Sequence, residues 1–172
     1  MPKGPLRLAF AVLLAAIPVV FASAFISRAL AQPHATASHL VEAPDPWTVS
    51  QTVAPDVLVK ELTAKDQTKR PTVVCVGFRP LYDGAHIPGA SFHGAASTPQ
   101  GIAGLKAWAQ EIPRSSNIVL YCGCCPLQHC PNLKPAFAVV RDMGFTKLRV
   151  LLLPTDFNTD WIEAGYPVEK GK

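Results

Sequence analysis

No aspartate or glutamate occurs before Glu42, although Lys3, Arg7 and Arg28 all fall within that stretch. Charge is scarce overall: 16% of the 172 residues are charged, against 49% apolar. That length suits one domain with a tail and leaves no room for two full-sized ones. Beyond residue 31, 13 basic side chains face 12 acidic ones. The excess of positive charge therefore belongs to the first 31 residues. No basic patch remains that could neutralise phosphates in number, which excludes nucleic acid as a partner. Internal repeats and long charge runs are also missing. A c-type haem is excluded as well, because Pro126 follows Cys125 where that motif needs histidine.

The acid-free stretch has the layout of an export signal. Lys3 and Arg7 form a short positive region, residues 8–26 are uncharged and almost wholly apolar, and Ala29-Leu30-Ala31 has the small-x-small form of a cleavage site. Residues 1–31 are thus expected to be a signal peptide cut before Gln32, with Pro18 arguing against a membrane span. An uncleaved anchor facing the periplasm is the alternative, since the apolar run nearly reaches spanning length. Either way the domain is exported, in a bacterium to the periplasm, where disulfides persist. No membrane contact is expected beyond the signal itself. Residues 32–48, rich in Ala, Pro, Ser, Thr and His and without periodicity, read as a linker.

Residues 49–170 read as one α/β domain. Pro55 can open a helix that continues over 57–62. Residues 71–76 and 117–122 are apolar, β-branched runs that predict buried strands. Residues 86–90 form a turn feeding a short strand. Helical spacing of apolar residues marks 102–112. Asn132 is placed to cap a helix over 133–143 that Gly144 ends. A third strand over 147–153 and a last helix over 156–164 complete the series. Strands separated by helices imply a central parallel sheet with helices on both faces, and sites in such sheets lie at the carboxyl ends of strands.

Four of the five cysteines lie within one such loop, Cys122-Gly-Cys-Cys-Pro-Leu-Gln-His-Cys130. A strand, loop and helix N-terminus gather backbone N–H groups and partial positive charge, so a thiol there should lose its proton readily. The thiolate is the nucleophilic form. Four thiols exceed what a structural staple requires, and the pattern points to chemistry. Cys75 lies in a strand and reads as a small buried hydrophobe. Phe78, Arg79 and Tyr82 fall in the segment before His86 and are placed to rim a pocket.

From about residue 49 to 168 the chain resembles the rhodanese-like sulfurtransferase domains. Three segments carry the resemblance: Ala85-His-Ile-Pro-Gly-Ala90, Ile118-Val-Leu-Tyr-Cys122 and Asp160-Trp-Ile-Glu-Ala-Gly-Tyr-Pro-Val168. The resemblance implies a rhodanese-like fold and a sulfurtransferase of the thiosulfate or polysulfide type. It further implies that Cys122 is the nucleophile and carries sulfane sulfur as a persulfide. Its partners would be a small sulfur-containing substrate or a protein thiol acceptor, and no cofactor is implied. His86 is then a structural hydrogen-bonder of its turn. The chain departs from the family at several places. Cys75 and Gly77 replace an Asp-x-Arg, Thr155-Asp-Phe-Asn replaces a Gly-Gly, and the active loop is longer than usual and has no arginine. An anionic substrate would meet backbone N–H groups, His129 and Lys134, with Arg79 as the one cation of the neighbouring segment.

Two other classes fit the same loop. Cys122-Gly-Cys-Cys125 has the spacing of a thiol-disulfide oxidoreductase, with Cys124, Cys125 or Cys130 as resolving thiols and His129 as an accessory group. A metal module holding Zn²⁺ or Cu(I) would use Cys122, Cys125, Cys130 and His129. A phosphatase-like or arsenate-reductase reading is disfavoured, because the arginine that closes such anion loops is absent.

Overall fold

The computed structural model describes residues 44–171. The export signal read at 1–31, and the linker as far as residue 43, lie outside the described residues. Trp47, near the end of the expected linker, is buried and packs edge-on against Phe137 with ring centroids 5.5 Å apart.

Five strands, β1 (Thr52–Val53), β2 (Thr72–Cys75), β3 (Ser91–Phe92), β4 (Ile118–Tyr121) and β5 (Leu148–Leu151), form one all-parallel sheet in the order β1-β5-β4-β2-β3. Successive side chains alternate between two buried faces. Val74, Val76, Leu120 and Val150 pack on one side under α3 (Pro99–Gln110) and α4 (Leu133–Asp142). Val73, Val119, Tyr121 and Leu151 pack on the other with Leu58 of α1 (Pro55–Leu62), Phe157 and Trp161. The expected parallel sheet with helices on both faces is what the chain forms.

Three local departures matter. The segment before His86 is a short helix, α2 (Arg79–Gly84), which Pro80 helps to start. Six residues carry too little periodicity for the sequence to show it. At the edge, β1 is only two residues long. The expected last helix over 156–164 is instead a single π-turn, Asn158–Ile162. There Asp160 and Asp156 accept from the N–H groups of Thr155, Asp156 and Thr159 at 2.6–3.1 Å. Those carboxylates satisfy donors that an α-helix start leaves open.

Between β2 and β4 the topology changes direction. The chain leaves β2 towards β3 on one side and leaves β4 towards β5 on the other. The loops after these neighbouring strands diverge, and a crevice opens between their carboxyl ends.

Candidate active site

The crevice contains a cavity of about 360 Å³, lined among others by Cys75, Tyr82, Tyr121, Cys122, Cys124 and Phe157. Cys122 follows the last residue of β4, the central strand, and is 3% exposed. Two glycines make its placement possible. A side chain at Gly77 would put a Cβ 2.7 Å from the Cys122 carbonyl oxygen and 3.2 Å from its Sγ. The position where the resembling family has an arginine therefore has no room for one here. Gly123 adopts φ +79°, a left-handed conformation, and a Cβ there would lie 2.6 Å from that of Phe157.

The turn at Gly123 brings Cys124 back beside Cys122, with their Sγ atoms 3.2 Å apart. Cys125 reaches Cys122 only through Cys124, whose Sγ is 3.0 Å away, and its thiol also points at the His129 carbonyl oxygen at 3.7 Å. Cys130 lies behind Cys122, buried and outside the cavity lining. It hydrogen-bonds the Cys122 thiol and receives the backbone N–H groups of Asn132 and Leu133 at the start of α4.

This arrangement divides the charge unevenly. The hydrogen bond from Cys122, helped by the two amides, pulls the Cys130 thiol from the usual 9.0 down to about 6, against the effect of burial. The same hydrogen bond and burial push the Cys122 thiol up. The two titrate as a pair that sheds one proton early and holds the other, with the negative charge resting on Cys130. The readily ionised thiol expected at this loop is thus present, but at Cys130 rather than Cys122. Burial pushes Cys125 up to about 12 and Cys75 up to about 11.

Asn132 has a different role from the expected cap. Its side chain makes no capping hydrogen bond. Fully buried, it donates from Nδ2 to Cys122 Sγ at 3.3 Å and accepts from the Ser97 N–H at 2.8 Å. Sequence reasoning found its position but not its partners, since those come from residues 10 and 35 positions away.

The cations expected to serve an anionic substrate lie outside the cavity lining. Arg79 pairs with Asp83 at 3.4 Å and stands over the Phe92 ring. Lys134 pairs with Asp45 at 3.4 Å. His129 ends a short 3-10 turn, Leu127–His129. Cys75 is buried in its strand, as expected, and also lines the cavity. His86 behaves as expected of a structural residue: it is buried, its Nδ1 is 2.8 Å from the Tyr82 carbonyl oxygen, and its ring stacks on Tyr82.

No family model and no curated protein matches the chain. Solved structures do. The BH2092 protein of Bacillus halodurans is 19% identical over 70% of this chain and 77% of its own, with a TM-score of 0.54. The rhodanese-like domain of the Alr3790 protein of Anabaena sp is 24% identical over 70% and 79%, with a TM-score of 0.50. The fold is that of the rhodanese-like domains. A third match is a variant of EanB, solved with a cysteine persulfide in a tetrahedral intermediate state with ergothioneine. It is 19% identical over 69% of this chain but only 28% of that longer one, with a TM-score of 0.51.

Proposed function

We propose that this domain is an exported sulfurtransferase that carries sulfane sulfur as a persulfide on Cys122. The carrying observation is the position of Cys122: it ends the central strand, faces the cavity, and has a base behind it in Cys130. The persulfide seen in the EanB structure supports the same chemistry on this fold.

In the first half-reaction a persulfide or polysulfide anion enters the cavity. Cys122 Sγ attacks the sulfane sulfur as its proton passes to the Cys130 thiolate, the sulfur–sulfur bond of the donor breaks, and the donor leaves as a thiolate. An acceptor thiolate, small or on a protein, then attacks the outer sulfur of the Cys122 persulfide. The new persulfide leaves, and Cys122 recovers its proton from Cys130. The Asn132 amide and the Cys124 N–H stabilise negative charge on Cys122 Sγ during both steps.

Intact-mass measurement after treatment with polysulfide tests the reading. The wild type should gain one sulfur atom and lose it to added thiol, and Cys122→Ser should gain none and lose turnover. Single serine changes at Cys124, Cys125 and Cys130 should reduce turnover less. Full turnover in Cys122→Ser would overturn the proposal.

A thiol-disulfide oxidoreductase is the second reading. The 3.2 Å approach of Cys124 to Cys122 favours it, with Cys124 rather than Cys125 as the resolving thiol. Loss of two hydrogens from the unreduced protein, with no sulfur gained, would mark that outcome.

A further inference from the structure

Sulfur transfer uses one nucleophile and one base, and gives no reason for a third thiol within reach of both. Yet the Sγ atoms of Cys122, Cys124 and Cys130 all lie within 4.8 Å of one another. We propose that these three thiols form a binding site for a soft monovalent cation, Cu(I), held by three thiolates.

The donor set selects the ion. Thiolate ligands favour Cu(I) over the harder divalent ions. A structural zinc site wants four ligands. Among the described residues no histidine or carboxylate joins this group, and Cys125, though 3.0 Å from Cys124 Sγ, falls outside the trio whose sulfurs all lie within 4.8 Å of one another. The expected quartet of Cys122, Cys125, Cys130 and His129 is therefore replaced by a trio that includes Cys124.

The surroundings suit an ion that leaves its site negatively charged. Three thiolates around Cu(I) retain a net charge of minus two. The Asn132 amide and the Cys124 N–H donate to Cys122, and the Asn132 and Leu133 N–H groups donate to Cys130. Outer donors of this kind orient the ligands and offset their charge. Cys122 and Cys130 are buried, whereas Cys124 is partly exposed and lines the cavity, which gives the ion a way in. On binding, Cys122 and Cys124 release their protons to solvent, Cys130 ligates as the thiolate it already is, and copper stays Cu(I), so no electron moves. The ion caps Cys122, and copper binding and sulfur transfer exclude each other.

The test titrates the full chain, reduced and under anaerobic conditions, with Cu(I) against the chelator bicinchoninate. The wild type should withdraw one Cu(I) per chain, with three sulfur neighbours by X-ray absorption. Cys124→Ser and Cys130→Ser should lose the ion to the chelator, and Cys75→Ser should keep it. Asn132→Ala should bind roughly tenfold more weakly. Circular dichroism of each variant separates lost ligation from lost folding, and Cys124→Ser, at a partly exposed position, is the decisive one. No withdrawal from the chelator, wild-type retention in both ligand variants, or displacement by Zn²⁺ into a four-ligand site would overturn the proposal. Persulfide formation on metal-free protein is measured separately. Copper without persulfide removes the sulfurtransferase reading alone, and persulfide without copper removes this inference alone.

Discussion

Cys130 shows how one side chain can set the reactivity of another. Its thiol is held near pH 6 by a hydrogen bond from Cys122 and two backbone amides, so at neutral pH the pair already carries one negative charge. The Cys122 proton already lies on a hydrogen bond to Cys130. Its transfer, uphill because Cys122 is raised and Cys130 lowered, completes only as Cys122 attacks the sulfane sulfur and the donor's sulfur–sulfur bond breaks. As the pH falls through about 6, Cys130 becomes protonated and can no longer take that proton. Sulfur uptake on Cys122 should therefore decline below about pH 6 in the wild type. In Cys130→Ser the decline should move up towards the ordinary thiol range. Rates of persulfide formation across that interval check this, and coincident profiles for the two proteins would contradict it. The loop composition alone announced reactive thiols, and the sheet position singled out Cys122. The inversion of charge within the pair was not legible, because it depends on which sulfur the first turn of α4 addresses.

At the scale of elements, the close approach of β2 to β4 depends on Gly77. The two strands pair in register from Thr72 opposite Ile118 to Cys75 opposite Tyr121, and the next residues converge on Cys122. Gly77→Ala puts a methyl group against the Cys122 carbonyl oxygen, and the backbone must move. The change should cost about 1–3 kcal/mol, the usual range for overpacking, and slow sulfur uptake through a displaced Cys122. Urea denaturation together with uptake kinetics measures both, and an unchanged midpoint with unchanged uptake would refute the argument. The long elements were readable from pattern. β2, β4, α3 and α4 all lie within a few residues of where apolar spacing put them. The short ones were not. Two residues of β1 and six of α2 are defined by their neighbours rather than by any period of their own. The π-turn at Asn158–Ile162 owes its shape to aspartate side chains that a hydrophobicity pattern ignores.

For the whole molecule, the thiols link folding to pH. Cys130 has its folded-state value depressed from 9.0 to about 6, so its stabilisation is present above 9.0 and is lost as the pH falls towards 6. Cys75, Cys122 and Cys125 are raised, so their contribution is present below 9.0 and lost above it. Under reducing conditions the wild type should gain stability between pH 6 and 9, and Cys130→Ser should gain less. Denaturation midpoints at the two ends decide the matter, and equal slopes would refute it. Amino-terminal sequencing of the mature protein from fractionated cells should begin at Gln32 in the periplasm. A start at Met1 in the membrane fraction would favour the anchor.

The left-handed turn at Gly123 has one more consequence. By folding the chain back within two residues, it makes the nearest partner of Cys122 a thiol two positions away rather than three. A disulfide across so short a segment closes a cramped ring, and cramped disulfides are readily reduced. An oxidised Cys122–Cys124 pair would therefore be a short-lived state of this protein. The first thiol to enter the crevice would open it to a mixed disulfide. A second thiol would attack that bond and leave as a disulfide with the first, returning both loop cysteines to their reduced form without a dedicated reductase.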